Sequence, residues 1–243
     1  MDGMGQGSQD RAAGRDLDRK LSRTEASHAV TGLGWRYVLS DLRTEVLTGS
    51  LPLAADVAAR AAALPNAEGH LRMDIRQDRV VLALQTAGGV TPRDVELAHR
   101  ITAVAEEFRL TTQAGVGEDT RSVQVLEIAI DVLDMAKVRP FWQAVLGYVD
   151  EPGHDGPPNG LIDPLGQGPA FWFQQMDAPR PQRNRIHLDV SVPHDEAHQR
   201  IQDTIAAGGT LLSDAEAPAF WVLADPEGNE ACICTWQGRD PAA

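Results

Sequence analysis

Features that would assign a protein to a membrane or secreted class are missing from this chain of 243 residues. No stretch approaches the roughly 18 consecutive apolar residues that a membrane-spanning helix needs. Residues 1–20 are rich in Gly, Asp, Arg and Gln and contain no apolar segment. We therefore expect a disordered tail there, and neither a signal peptide nor a folded element.

Positive charge is also scarce. The chain has 22 Lys and Arg against 35 Asp and Glu, a net charge of −13. Nucleic acids and anionic membranes are bound by basic surfaces that neutralise phosphates, so we expect neither as a partner. Hydrophobic residues make up 42% and charged residues 23%, which is ordinary for globular proteins. We interpret the excess of acidic residues as a source of solubility.

Cysteine is nearly absent, since only Cys232 and Cys234 occur. One residue separates them, a spacing that does not fit an unstrained disulfide within an extended strand. The sequence therefore predicts two free thiols and a reducing, cytoplasmic location.

A polar stretch divides the chain. Residues 113–122 (QAGVGEDTRS) carry glycine and charge but no hydrophobic period, which is typical of a linker. Four of the five tryptophans follow this stretch and only Trp35 precedes it. We predict two domains, residues 21–112 and 123–238, each large enough to have its own core.

The first domain has the pattern of an α+β layer. Capping boxes at residues 22–25 (SRTE) and 91–94 (TPRD) predict two helix starts, and an alanine-rich stretch at 51–64 predicts a third helix. Alternating and apolar segments between them predict strands. The order α-β-β-α-β-β-α indicates helices on one face of an antiparallel sheet.

The second domain contains one βαβββ unit written twice. Residues 123–131 predict a strand, residues 135–146 a helix, and two or three strands follow up to residue 174. The same order of elements then recurs from residue 185 to residue 235. An internal repeat of this length predicts paired modules around a shared cleft.

Strand alternation predicts which polar residues share a face in these modules. If the apolar faces pack on the helices, the opposite faces bring together Glu127, His187 and either Glu230 or Cys232. Such a set of donors is sufficient for a metal with open coordination positions. Alternatively, these polar residues only face solvent.

Three motifs in this domain carry a family resemblance. Residues 134–142 (DMAKVRPFW), followed by 146–148 (LGY), are the first; residues 184–189 (NRIHLD) and 225–230 (DPEGNE) are the others. In this order they resemble the glyoxalase-like branch of the vicinal oxygen chelate superfamily, over residues 123–237. The resemblance implies paired βαβββ modules around a U-shaped cleft, but it does not name a reaction, because the superfamily includes isomerases, dioxygenases and drug-sequestering proteins.

The resemblance also implies where metal ligands would lie. Carried over, the ligand positions of the metal-dependent members fall on Glu127, near Phe173, on His187 and on Cys232. Phenylalanine is not a ligand and a neutral thiol is a weak one. We therefore expect no cofactor; if a divalent metal binds, Glu127, His187 and Cys232 are its expected ligands.

The first domain resembles pterin-4a-carbinolamine dehydratase over about residues 21–110. The resemblance extends through the alanine-rich helix, and its sequence motifs are residues 34–35 (GW), 69–71 (GHL), 80–86 (VVLALQT) and 89–94 (GVTPRD). It implies a reaction that removes water from a carbinolamine, for which imidazoles serve as base and acid near neutral pH.

The catalytic motifs of that family are only partly retained. His-His-Pro is replaced by residues 69–71 (GHL), and the Thr-His pair by residues 86–87 (TA). Only His70 of three histidines is left. If this domain is catalytic, we expect His70 to act with Glu68 or Asp94 as the second group; otherwise His70 only begins a strand.

The sequence thus leaves two functions open. The first is the binding or transformation of a small, partly aromatic molecule in the glyoxalase-like cleft, without a metal, and the second is carbinolamine dehydration, a lyase reaction. For the first we expect polar and apolar contacts from Glu127, Trp142, Phe173, Arg185, His187, Asp189, Trp221 and Glu230. Both families commonly self-associate, so we expect a homodimer.

Overall fold

A computed structural model describes residues 17–86, 89–115, 122–152, 160–179 and 186–238. The chain divides into two compact units, Met1–Val125 and Leu126–Ala243. Residues 1–16 of the predicted tail and 116–121 of the predicted linker lie outside the described residues. Within the described part, no helix is long and apolar enough to cross a membrane.

The first unit is an antiparallel sheet with helices on one face. Its strands pair in the order β1-β2-β4-β3, with β5 added beside β2. The predicted order of elements is confirmed, and β5 is an addition that includes Gln113, the first residue of the predicted linker. The elements are α1 Arg23–Ala29, β1 Arg36–Val38, β2 Asp41–Leu47, α2 Leu51–Ala62, β3 Leu71–Ile75, β4 Arg79–Leu84, α3 Pro92–Glu107 and β5 Thr112–Gln113.

Trp35 anchors the core of this unit. It is fully buried, and its indole Nε1 donates to the Thr102 hydroxyl at 3.0 Å. Gly34 allows β5 to approach, because a Cβ at this glycine would lie 2.0 Å from the carbonyl oxygen of Thr112. Gly34 also has a φ of +75°, which glycine adopts most readily.

The second unit contains two sheets of four strands. Both sheets have the same order, β6-β9-β8-β7 and β10-β13-β12-β11, with the first pair parallel and the others antiparallel. The predicted βαβββ repeat and the α+β class are therefore confirmed. The elements are β6 Glu127–Val132, α4 Met135–Leu146, β7 Val149–Asp150, β8 Gly160–Ile162, β9 Ala170–Gln175, β10 Leu188–Ser191, α5 Ala197–Ala206, β11 Thr210–Ser213, β12 Phe220–Ala224 and β13 Glu230–Cys234.

In the first strand of each module, burial follows the strand alternation. In β6, Ile130 and Val132 are buried in the core with the helices, whereas Glu127 and Ala129 are exposed. In β10, Leu188 and Val190 are half-buried, whereas Asp189 and Ser191 are exposed. Each first strand of a module therefore presents an apolar face to the core and a polar face away from it.

Candidate functional site

One polar cluster lies in the first unit, around the side chain of His70. His70 immediately precedes β3, Thr86 follows β4, and Asp94 is in the first turn of α3. The imidazole Nδ1 lies 2.8 Å from Oδ1 of Asp94 and 2.9 Å from the hydroxyl of Thr86. A carboxylate can only accept, so Nδ1 carries the proton and Nε2 is the nitrogen that is left for other partners.

Asp94 is fully buried and is the centre of this cluster. Its Oδ2 accepts from the backbone N–H of Thr91 at 2.7 Å, from the Thr91 hydroxyl at 2.8 Å and from the Thr86 hydroxyl at 2.9 Å. The first of these bonds belongs to the predicted capping box of α3. One carboxylate thus begins the helix and orients the histidine, so it is not exposed to a substrate.

Glu68 lies two residues before His70, in the turn that leads into β3. Its side chain is exposed and makes no hydrogen bond or ion pair with the described residues. The cluster therefore presents one oriented imidazole, 16% exposed, with the exposed carboxylate of Glu68 nearby in sequence. This arrangement can transfer a proton through Nε2.

A cleft of about 630 Å³ lies in the second unit, beside strands β6 and β10. Four successive residues of β6 line it, which means that the cleft follows the edge of the strand rather than one face. Each of these strands pairs with one neighbour among the described residues. The lining residues are Ile128, Ala129, Ile130, Asp131, Leu133, Trp142, Met176, Pro179, Ile186, His187, Leu188, Pro226, Glu227, Gly228, Asn229 and Glu230.

Three residues that we predicted as ligand contacts line this cleft: Trp142, His187 and Glu230. Another predicted residue, Arg185, lies outside the described residues. The remaining four do not belong to the lining; they are Glu127, Phe173, Asp189 and Trp221.

Phe173 and Trp221 are core residues because of their register. Phe173 pairs with Ile130 on β6, and Trp221 pairs with Ile233 on β13, so both side chains are on the faces that pack against the helices. Trp172, one residue before Phe173, has the opposite orientation and is half-buried. The alternation of residues 170–174 could have assigned these faces.

Trp142 is held at the cleft by the turn between β12 and β13. Its Nε1 donates to Oδ2 of Asp225 at 3.0 Å, and Asp225 also accepts from the backbone N–H groups of Glu227 and Asn229. In addition, Glu227 accepts from the N–H of Asp134 at 2.6 Å at the start of α4. The second module thus fixes the helix of the first, which sequence patterns within one module do not reveal.

A second polar cluster borders the cleft. Among the described residues, His187, Asp189 and Cys232 are the one group of three or more potential metal ligands whose donor atoms all lie within 4.8 Å of one another. His187 Nε2 is 3.4 Å from Asp189 Oδ1. Burial and the nearby carboxylate of Asp189 raise the pKa of the Cys232 thiol to about 12, so without a metal the sulfur keeps its proton.

These residues fit a divalent metal better than the set that the sequence suggested. Imidazole, carboxylate and thiolate are all ligands of zinc-like ions. Glu127 is not a member of the cluster, and Asp189 takes its place. When bound, such an ion would act as a Lewis acid at the border of the cleft.

Comparison with known proteins assigns both units. A protein of Aquifex aeolicus named "Putative pterin-4-alpha-carbinolamine dehydratase" is 30% identical over 94 residues, which are 37% of this chain and 95% of that protein. The chain belongs to this dehydratase family through its N-terminal region. The sequence model of the glyoxalase-like domain matches residues 127–234. A dehydratase-like unit and a glyoxalase-like unit are therefore joined in one chain.

Solved structures that resemble the glyoxalase-like unit have low sequence identity. A glyoxalase-related enzyme from Fulvimarina pelagi is 20% identical, with a TM-score of 0.37, and the match covers 46% of this chain and 87% of that one. A glyoxalase/dioxygenase from Nostoc punctiforme is 17% identical, with a TM-score of 0.37, and the match covers 51% of this chain and all of that one.

Proposed function

We propose that the protein binds a small, partly aromatic molecule in the cleft of the glyoxalase-like unit. The observation that supports this proposal is the cleft itself. Its volume of about 630 Å³ lies within the range of roughly 300–1,000 Å³ that is usual for ligand pockets. Its lining has the usual composition as well, since a mostly apolar wall carries a few polar groups.

The composition of the wall indicates the class of ligand. Ile128, Ile130 and Leu188 provide an apolar surface, and the indole of Trp142 lies at the same wall. His187 and Glu230 add polar groups from the second module. A planar heterocycle with hydrogen-bonding groups on its rim, such as a pterin, matches both features.

Titration calorimetry with pterins and other planar heterocycles tests this proposal. Changing His187→Ala removes a polar contact of the cleft, so we expect roughly 5-fold to 100-fold weaker binding, the usual effect of losing one polar partner. His194→Ala is the matched control, because His194 is also an exposed histidine of this unit but does not line the cleft. Equal effects of the two changes, or no binding to wild type, would contradict the proposal.

A second candidate function is carbinolamine dehydration in the dehydratase-like unit. It is favoured by one specific observation, the orientation of His70 by the buried carboxylate of Asp94. A carboxylate behind an imidazole fixes its tautomer and stabilises the imidazolium that forms when the ring accepts a proton.

The chemistry requires two proton transfers. The ring N–H of the carbinolamine loses a proton, the C–O bond breaks, and the departing hydroxyl takes up a proton to leave as water, which gives a C=N bond. We propose that His70 Nε2 removes the first proton and that Glu68, in its protonated form, donates the proton with which the hydroxyl leaves as water. In this scheme Asp94 is a positioning residue.

Spectroscopic measurement of carbinolamine dehydration tests this second candidate. General acid–base catalysis contributes about 10²-fold to 10⁴-fold, so His70→Ala should lower the enzymatic rate by at least about 10²-fold. His99→Ala is the control, because His99 is an exposed histidine of the same unit, on α3. A wild-type rate equal to that of buffer would eliminate this candidate and would leave the cleft proposal unaffected.

Two further expectations accompany these proposals. We propose that the protein is cytoplasmic and acts as a homodimer, as both families commonly self-associate. Sedimentation of the purified chain tests the second point, and a monomer at micromolar concentration would contradict it.

A further inference from the structure

The side chains of His187, Asp189 and Cys232 are brought together by the register of one sheet. Strands β10 and β13 are parallel neighbours, and Asp189 is directly opposite Cys232. His187 precedes Asp189 by two residues, the spacing at which side chains of an extended segment share a face. The cluster is therefore built mainly by strand pairing within the second module.

The spacing of these atoms suits a small ion. Two nitrogen or oxygen ligands of a tetrahedral zinc ion are about 3.3 Å apart, because each lies roughly 2.0 Å from the metal. His187 Nε2 and Asp189 Oδ1 are already 3.4 Å apart, and the sulfur of Cys232 lies within 4.8 Å of both. One ion between the three donor atoms is compatible with these spacings.

The types of donor favour one class of metal. Thiolate and imidazole select zinc-like ions, whereas Mg²⁺ and Ca²⁺ prefer sites made of oxygen atoms only. Three protein ligands leave the fourth position of a tetrahedral ion open, which is the arrangement of catalytic rather than structural zinc sites. His187 also lines the cleft, so the site lies at the border of the cleft.

We propose that His187, Asp189 and Cys232 bind one zinc-like divalent ion entirely within the second module. This differs from the site that the vicinal oxygen chelate resemblance implies, in which Glu127 contributes from the first module. In this chain Asp189 replaces Glu127 as the carboxylate ligand. The inference does not depend on the identity of the organic ligand in the cleft.

Cobalt(II) provides a direct spectroscopic test with the full-length, reduced and chelator-treated chain. We expect binding of one ion per chain and an intense near-ultraviolet band from charge transfer between thiolate sulfur and cobalt. Cys232→Ser should abolish this band. Cys234→Ser should retain it, and it is a matched control because Cys234 is equally buried on the same strand.

The carboxylate ligand is tested by a second pair of variants. Losing an outer-shell partner alone weakens metal affinity about 10-fold to 100-fold, so we expect Asp189→Asn to weaken cobalt binding by at least 10-fold. Glu127→Gln should leave the affinity unchanged. Both side chains are exposed, so neither change threatens the fold.

The release of a proton gives an independent measurement. A cysteine thiol must lose its proton to bind a metal, so a metal ion held by Cys232 displaces a proton. Calorimetry in buffers of different ionisation enthalpy should therefore detect proton release on cobalt binding, and this release should disappear in Cys232→Ser.

Three results would overturn this inference. They are the absence of stoichiometric cobalt binding, a charge-transfer band that survives Cys232→Ser, and a loss of affinity in Glu127→Gln that exceeds the loss in Asp189→Asn. Because no organic ligand takes part in these measurements, such a result would not affect the proposal for the cleft.

Discussion

The two units each contain a histidine beside an aspartate, but the two pairs differ in burial. Asp94 of the dehydratase-like unit is fully buried and accepts hydrogen bonds from His70, Thr86 and Thr91. Asp189 of the glyoxalase-like unit has a side chain that is 61% exposed, and it is 3.4 Å from the exposed imidazole of His187. The same pair of residue types is therefore buried in one unit and exposed to solvent in the other.

This difference in burial indicates different roles for the two carboxylates: Asp94 positions its neighbours, and Asp189 is available to bind a ligand or an ion. A buried carboxylate with all its acceptors occupied holds its neighbours in one geometry, and the fold depends on it. An exposed carboxylate contributes little to the fold and can change partners when a ligand or an ion arrives. We therefore expect a change at Asp94 to affect mainly the stability of the fold. A change at Asp189 should affect mainly the binding of a ligand or an ion.

The largest expected effect is on the stability of the dehydratase-like unit. Asp94→Asn places an amide N–H₂ among groups that already donate, so at least one buried donor loses its acceptor. We expect the free energy of unfolding to fall by about 3 kcal/mol. Asp189→Asn should change it by no more than about 0.5 kcal/mol.

Urea unfolding of both variants, followed by circular dichroism, measures this contrast. Equal losses of stability in the two variants would contradict the distinction between the sites. A loss in Asp94→Asn without any change at Asp189 would support it.

Much of the fold could be predicted because its signals are local. The capping boxes that begin at Ser22 and Thr91 placed two helix starts correctly, since each depends on residues only three positions apart. Strand β5 was not predicted. Its two residues pair with β2, and Thr112 donates to the carbonyl oxygen of Leu33, 79 residues earlier in the chain. No short sequence window contains that contact.

The candidate sites were predictable only in part. Alternation placed His187 and Asp189 on one face, and the structure agrees. It did not show that the cleft follows the edges of β6 and β10, because the position of an edge depends on how strands pair. The contact of Asp225 with Trp142 was also out of reach, since it links the two modules across 83 residues.

An alkaline pH dependence is the next effect in size, and it distinguishes the glyoxalase-like unit. Burial and the carboxylate of Asp189 raise the pKa of Cys232 from 9.0 to about 12. Above pH 9 the folded state therefore keeps a proton that the unfolded state loses, and stability falls as the pH rises toward 12. The slope from this thiol cannot exceed about 1.4 kcal/mol for each pH unit.

Urea unfolding at several values between pH 8 and pH 11 measures this slope through tryptophan fluorescence. Four of the five tryptophans lie in the glyoxalase-like unit, so the signal mainly reports its unfolding. Cys232→Ser should have a shallower slope than wild type. If Cys234→Ser flattened the slope and Cys232→Ser did not, the assignment to Cys232 would be wrong.

The smallest expected effect is the loss of stability on replacing Glu25, which is compared with Asp94 in the other capping box of the dehydratase-like unit. Glu25 occupies in α1 the place that Asp94 occupies in α3, but its side chain is exposed. Hydrogen bonds from Arg19 and from the backbone and hydroxyl of Ser22 lower the pKa of Glu25 from 4.5 to about 2. The stabilisation is therefore complete above about pH 4.5 and is lost as the pH falls toward 2.

Glu25→Gln tests this through acid unfolding followed by circular dichroism. We expect a slightly lower stability at pH 7 and a weaker dependence on pH between 4.5 and 2, because glutamine still accepts a hydrogen bond but does not titrate. The change at pH 7 should be much smaller than that in Asp94→Asn, since solvent can replace the bonds of an exposed carboxylate but not those of a buried one. If Glu25→Gln lowered the free energy of unfolding as much as Asp94→Asn does, burial would not explain the difference between the two capping boxes. The explanation of the difference between Asp94 and Asp189 by burial would then fail as well.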